Sequence, residues 1–187
     1  MNQIILEAKN ITKSFGNTNA LKNVDFYLYE STIHGLLGEN GAGKSSLMNI
    51  LSGIYQPENG SLYIDGEKVK KLNPDIASKL GIGMVHQEFR LIDNFSIKDN
   101  LTLSKANIYT NSFHEGYEKY SDIFSLTVNY STPISELSVG EKQKIEIMKL
   151  IFNNNKIMLL DEPTAVLTPQ ETNQLKISLK KLSKEDG

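Results

Sequence analysis

The sequence predicts an α/β fold with a mostly parallel core sheet, an N-terminal antiparallel β subdomain and an inserted helical subdomain. Three observations carry that reading. Short apolar runs alternate with segments of helical character, the pattern that puts strands in parallel with crossover helices between them. The early run 24–29 instead alternates residue by residue, as a half-buried antiparallel strand does. Residues 88–136 are polar and poorly periodic, with helical stretches only near 97–103 and within 114–124.

Taken in order, residues 4–8 and 24–29 read as strands; in the second, Val24, Phe26 and Leu28 alternate with Asp25, Tyr27 and Tyr29. Residues 33–37 form a short apolar run, expected as a strand, that leads straight into a Gly-rich loop. Helical character follows over 44–51, with Leu47, Ile50 and Leu51 on one side and Gly53 past the end. A turn at 56–60 precedes a strand at 61–64. Asn73-Pro74 supplies an N-cap with proline at the first helical position, and that helix ends near Gly81. A buried strand is expected at 82–86. Beyond the insert come a helix over 140–152, an apolar strand over 156–160, and a last helix from 169 to about 182. Thr168-Pro169-Gln170-Glu171 has capping-box spacing at its start.

The 187 residues fit one domain or most of one. A formal net charge of −2 argues against a general nucleic-acid binder, which carries a basic surplus or stripe. The absence of cysteine excludes disulfides, thiolate metal sites and cysteine nucleophiles. No basic start with a long apolar stretch marks a signal peptide, and no run reaches the roughly 18 apolar residues that span a bilayer. Any service to a membrane is expected through a partner.

The chemistry begins at Gly38-Glu39-Asn40-Gly41-Ala42-Gly43-Lys44-Ser45, which matches the P-loop pattern and predicts a P-loop NTPase fold. Glycines let backbone N–H groups turn inward around a β-phosphate without Cβ clashes. The helix starting near Lys44 adds its positive N-terminal end. In this motif the lysine ammonium serves the β- and γ-phosphates and the serine hydroxyl ligates Mg²⁺, roles that fall to Lys44 and Ser45. ATP and Mg²⁺ are the expected ligands. The apolar run at 156–160 ends in Asp161-Glu162; beside a P-loop, the first carboxylate can hold Mg²⁺ and the second can polarise the attacking water. Leu137-Ser138-Val139-Gly140-Glu141 precedes a helix with capping-box spacing from Ser138 to Glu141, so the helix is well capped and its N-terminus can also present donors to a phosphate.

Taken together and in order, these segments resemble the ABC transporter ATPase family across essentially the whole chain. Phe15, in Lys13-Ser14-Phe15-Gly16, lies where the family places an aromatic that stacks on adenine. Gln87, in Met84-Val85-His86-Gln87-Glu88-Phe89, matches the Q-loop glutamine. Residues 137–143 resemble the family's signature sequence, and Asp161-Glu162-Pro163-Thr164 the end of its Walker B segment. The resemblance implies that Ser46 contacts the α-phosphate side, Glu162 is the general base, and Gln87 senses Mg²⁺ and the attacking water. Ser138 and Gly140, with Glu141 beside them, would reach across a head-to-tail dimer to the ATP of a second domain. Phe89, Arg90 and Leu91 would face a membrane subunit.

The variant signature, with Val139 where most members have Gly, and the run from Asp161 to Glu171 resemble the sugar and nucleoside import branch. Membership there implies two tandem ATPase domains, of which 1–187 is expected to be most of the first, incomplete at its C-terminus. Permease subunits and, indirectly, a substrate-binding lipoprotein are the expected partners, at the cytoplasmic face of the cell membrane, with no direct nucleic-acid contact. The family's switch histidine lies beyond the residues present, and His34, His86 and His114 are expected to be structural or exposed. A further strand of the fold also lies beyond them, so 1–187 alone is expected to be unstable or rearranged and to hydrolyse ATP poorly. The insert looks shorter than is usual. Two alternatives stand beside the importer ATPase: a soluble ABC protein acting on ribosomes or DNA, and an inactive fragment.

Overall fold

The computed structural model describes residues 3–103 and 110–185, without the side chains of 110–112 and 185. It divides into two compact units, Met1–Ile82 with Ser183–Gly187, and Gly83–Leu182.

The first unit is built on a four-stranded antiparallel sheet in the order β2-β1-β3-β4. Strands β1 (Ile4–Phe15) and β2 (Thr18–Tyr29) form a long hairpin closed by Gly16-Asn17, well beyond the short strands expected from alternation. The alternation fades because the ladder is bulged. Asn10 (φ 52°) and Asn23 (φ 50°) stand in left-handed conformation where the register shifts. The Asp25 carboxylate accepts the Asn10 N–H at 2.6 Å, and the Thr12 hydroxyl donates to the Asn23 side chain at 3.1 Å. Strands β3 (Asn59–Ile64) and β4 (Glu67–Val69) form a second hairpin around Asp65-Gly66. Leu6, Ala8, Ile11, Leu21, Leu62 and Ile64 are the buried side chains of the four-stranded sheet.

Helix α1 (Lys44–Leu51) buries Leu47, Ile50 and Leu51, the stripe expected from the sequence. Helix α2 (Pro74–Lys79) starts as expected: the Asn73 side chain accepts the Ile76 N–H at 2.8 Å and Pro74 occupies the first turn. The expected strand at 33–37 is a correction. Among the described residues no strand pairs with it, and Ile33 and Leu37 are exposed, Leu37 at 93%. An apolar run speaks for burial, whereas a strand exists only where a neighbour completes its hydrogen bonds.

Among the described residues the second unit combines a two-stranded parallel sheet, β5 (Ile82–Val85) beside β6 (Ile157–Leu160), with four helices. These are α3 (Ile97–Thr102), α4 (Thr110–Phe124), α5 (Val139–Phe152) and α6 (Pro169–Glu185), and a 3-10 turn spans Ile134–Glu136. Residues 88–136 thus supply α3, α4 and the turn. One apolar cluster unites them with α5: Ile97, Leu101, Phe113, Phe124, Ile145 and Met148 are buried in it. Capping boxes start α3 (Ser96 with Asp99) and α5 (Ser138 with Glu141), and Thr168 with Glu171 starts α6 as the sequence predicts. Among the described residues no helix is long and apolar enough to cross a membrane.

Candidate functional site

In the first unit the P-loop is shaped by backbone conformation. Gly41 (φ 84°) and Gly43 (φ 87°) take the left-handed region, so the chain reverses between Gly38 and α1. At Gly43 a Cβ would run into the Ala20 carbonyl and stand 2.8 Å from a Leu21 methyl, so only glycine fits against β2. No side chain caps α1. A helix start without a side-chain cap is the arrangement in which a helix N-terminus can receive phosphate. Lys44 lies across the loop, its ammonium donating to the Gly38 carbonyl at 2.8 Å and the Glu39 carbonyl at 2.9 Å. The Ala42 N–H donates to Glu39 at 3.1 Å and closes the turn. Ser45 and Ser46 occupy the first turn of α1, Ser45 exposed and Ser46 half-buried. Glu39 and Asn40 are exposed.

Phe15 ends β1 at the tip of the long hairpin, 44% exposed, which rules out a role as core aromatic. Tyr55 meets its ring edge-on with centroids 5.3 Å apart, and the Lys13 ammonium stands 5.4 Å from its centroid. A partly exposed aromatic ring can stack on a planar ligand.

In the second unit the two parallel strands end on the same side, so Gln87 and the pair Asp161-Glu162 leave the sheet together. The Asp161 N–H donates to the Val85 carbonyl at 3.1 Å, which ties the end of β6 to the strand that leads into Gln87. His86 sits between them half-buried; burial, then the Arg90 charge, hold its pKa below the ordinary value, with Asp161 opposing. Gln87 and Glu162 are exposed and Asp161 is half-buried. Glu162 carries a φ of 48°, left-handed backbone for a residue with a full side chain, and its carbonyl accepts the Ala165 N–H at 3.0 Å.

Ser138 is the N-cap of α5. Its Oγ accepts the Glu141 N–H at 3.3 Å, while the Glu141 carboxylate accepts the Ser138 N–H and hydroxyl, both at 2.8 Å. Gly140 follows, buried against Glu171 at the start of α6. Val139 between them is 47% exposed. Of the histidines, His34 is exposed beside the Phe26 and Tyr29 rings, and His114 is exposed with Glu118 at 3.3 Å. Among the described residues no cluster of three or more His, Cys, Asp and Glu forms a self-contained metal cage. Two backbone clamps around Arg90 and Ile92, made by Glu146 and Asn100, were not expected from sequence; buried polar residues on apolar helix faces are the signal that marks them.

The sequence profile of the family described as ABC transporter matches residues 21–165. The chain belongs to that family. The ABC transporter fold is shared with solved cassettes: a dimeric structure of MJ0796, a bacterial ABC transporter cassette, aligns with a TM-score of 0.82 at 28% identity, covering 98% of this chain and 84% of that one. Among curated ABC relatives, a guanosine import ATP-binding protein, NupO of Bacillus subtilis (strain 168), is 41% identical over 98% of this chain and 37% of its own length. A ribose import ATP-binding protein, RbsA of Caldanaerobacter subterraneus subsp. tengcongensis, is 41% identical over 97% of this chain and 38% of its own length. The chain spans a little over a third of these relatives.

Proposed function

We propose that this ABC chain is an ATP-binding and ATP-hydrolysing domain of an importer for sugars or nucleosides, coupling ATP-driven dimerisation to transport. The observation that carries the reading is the P-loop: left-handed glycines, an uncapped helix start and the Lys44 ammonium converge where a triphosphate needs donors. The import names of the relatives favour this class over a soluble ABC protein acting on ribosomes or DNA. The domain is taken as 1–187, with 88–136 as its helical insert.

In this reading the amides of 38–43 and Lys44 hold the β- and γ-phosphates, Ser46 meets the α-phosphate side, and Phe15 stacks on adenine. The Ser45 hydroxyl, Asp161 and Gln87 serve Mg²⁺; a hydroxyl and one carboxylate suffice because phosphate oxygens and water complete the shell of that ion. When bound, Mg²⁺ supplies charge neutralisation on the phosphates. Glu162 is the general base for water, oriented with Gln87, while Ser138, Gly140 and Glu141 address the nucleotide of a second ABC domain, in tandem or as a dimer. The further partners are integral membrane permease subunits and, through them, a substrate-binding lipoprotein, with the chain peripheral at the cytoplasmic face.

MgATP binding and hydrolysis by the full-length protein test this. Lys44→Ala should weaken MgATP binding about 10- to 100-fold, the worth of a charge-assisted contact. Glu162→Gln should keep MgATP binding and lose about 10²- to 10⁴-fold in turnover. A wild-type protein that does not bind MgATP overturns the proposal.

A further inference from the structure

We infer that Glu146, assisted by Lys149 and Asn100, is a positioning residue that fixes the segment after Gln87 to helix α5. Glu146 is 6% exposed, on the face of α5 that the apolar cluster surrounds. A carboxylate is a costly thing to bury, and packing alone would be served by any apolar side chain. Its partner is the main chain: the Arg90 N–H donates to Glu146 Oε1. One turn along the same face, the Lys149 ammonium donates to the Arg90 carbonyl at 2.9 Å. One turn in the other direction, Lys142 pairs with Asp93 at 3.0 Å. Positions i, i+4 and i+7 of one helix therefore grip one irregular segment.

Two residues on, the grip is repeated by another helix. Asn100 of α3, 2% exposed, accepts the Ile92 N–H at 2.8 Å and donates to the Ile92 carbonyl at 3.1 Å and to the Ser96 carbonyl at 3.0 Å. The N–H and C=O of residues 90 and 92 are thus all satisfied by side chains, and Leu91 between them packs on the apolar cluster. A stretch without regular secondary structure gains the hydrogen bonding of a paired strand. Ile92 and Phe95 meanwhile point outward, 41% and 42% exposed, so the stretch is held from within and open to a partner from without.

Gln87 lies three residues before the first clamp, and Ser138 is the N-cap of α5. Displacement of residues 89–92 is therefore carried to both by contacts that buried polar groups make expensive to break. The effect on turnover rests on the function proposed above; the clamp itself does not.

The test is hydrogen–deuterium exchange of the peptide covering 88–93, together with MgATP turnover, on the full-length protein. Glu146→Ala should raise exchange there about tenfold, the consequence of leaving the Arg90 N–H without its acceptor. It should lower kcat while KM for MgATP stays within about twofold, because the P-loop is untouched. Glu146→Gln, whose amide oxygen can accept the same N–H, should restore both. Lys149→Met, a milder cut at the Arg90 carbonyl, gives a smaller change in the same direction and serves if Glu146→Ala does not fold. Unchanged exchange in the Ala and Met variants overturns the clamp, as does a Gln variant no better than Ala. Raised exchange with kcat unaltered overturns the positioning role. A wild-type protein without MgATP turnover removes the proposed function, and the exchange results still decide the clamp.

Discussion

The carboxylate of Glu171 lies against the α-carbon of Gly140: a Cβ built on Gly140 would stand 3.0 Å from the Glu171 carboxyl carbon and closer still to one of its oxygens. Glu171 is not free to swing away, because its other oxygen accepts the Thr168 N–H and hydroxyl, both at 2.8 Å. Glycine at 140 is thus required by packing of α5 against the start of α6, apart from any ligand. Gly140→Ala should cost about 1–3 kcal/mol, the range for overpacking a tight contact. Denaturant unfolding checks this. The cost should shrink when Glu171→Ala is added, since the atom struck is then gone; additive effects of the two changes would count against the contact.

Acid should weaken the start of α6 through the same carboxylate. The Thr168 N–H, then the Thr168 hydroxyl, hold the Glu171 pKa below its ordinary value of 4.5, with Lys144 adding a smaller effect. A carboxyl depressed in the folded state binds protons better when unfolded, so its stabilisation is present above 4.5 and is lost as pH falls through the folded value. Unfolding midpoints for wild type and Glu171→Gln should converge as pH drops below 4.5, the variant being flatter in that window. Parallel curves would show that the cap does not titrate.

Glu146 should titrate with the opposite sign. Burial raises its pKa above 4.5, and the Arg90 N–H, Lys149 and the Arg90 charge only partly offset it. The folded state then binds the proton more tightly than the unfolded chain, so stability falls as pH rises from 4.5 through the folded value. Glu146→Gln keeps an acceptor and has no charge to bury. Its midpoint should rise relative to wild type between acid and neutral pH, and thermal unfolding at a series of pH values reads the difference. A gap between the two that stays constant with pH would mean that the carboxylate is ionised in the interior at no cost.

Much of this architecture is legible in the chain because it is written in local chemistry. Asn73-Pro74, Ser138 with Glu141, and Thr168 with Glu171 each announce a helix start, and each makes the expected cap. The stripe of Leu47, Ile50 and Leu51 likewise identifies the buried face of α1. The hairpins were harder. Asp65-Gly66 is a strong turn signal, yet β4 holds only Glu67, Lys68 and Val69, too short to show alternation. In β1 and β2 the left-handed Asn10 and Asn23 break the two-residue period on which strand reading depends. Residues 33–37 fail for the converse reason, since their apolar side chains say nothing about a hydrogen-bonding neighbour. The P-loop, Gln87 and Asp161-Glu162 stand out as motifs. The grip of Glu146 and Asn100 on Arg90 and Ile92 does not, because it joins residues far apart in sequence through main-chain atoms that carry no sequence identity.

Backbone strain and chemistry can be separated at Glu162. Its φ of 48° places a side-chain-bearing residue in the left-handed region directly after Asp161, where a Cβ costs about 1 kcal/mol relative to glycine. Comparing Glu162→Gly with Glu162→Ala holds the loss of the carboxylate constant and varies only that conformational cost. The glycine variant should be more stable than the alanine variant by up to about 1 kcal/mol, less whatever glycine's greater freedom gives back to the unfolded chain. Both should lose MgATP turnover to the same degree if the carboxylate acts as general base, since neither offers a group to polarise water. Chemical unfolding and steady-state hydrolysis on the same three proteins check the two halves independently. Equal stability of the two variants would mean that the turn relaxes without its side chain, and turnover surviving in either would move the general base to another residue.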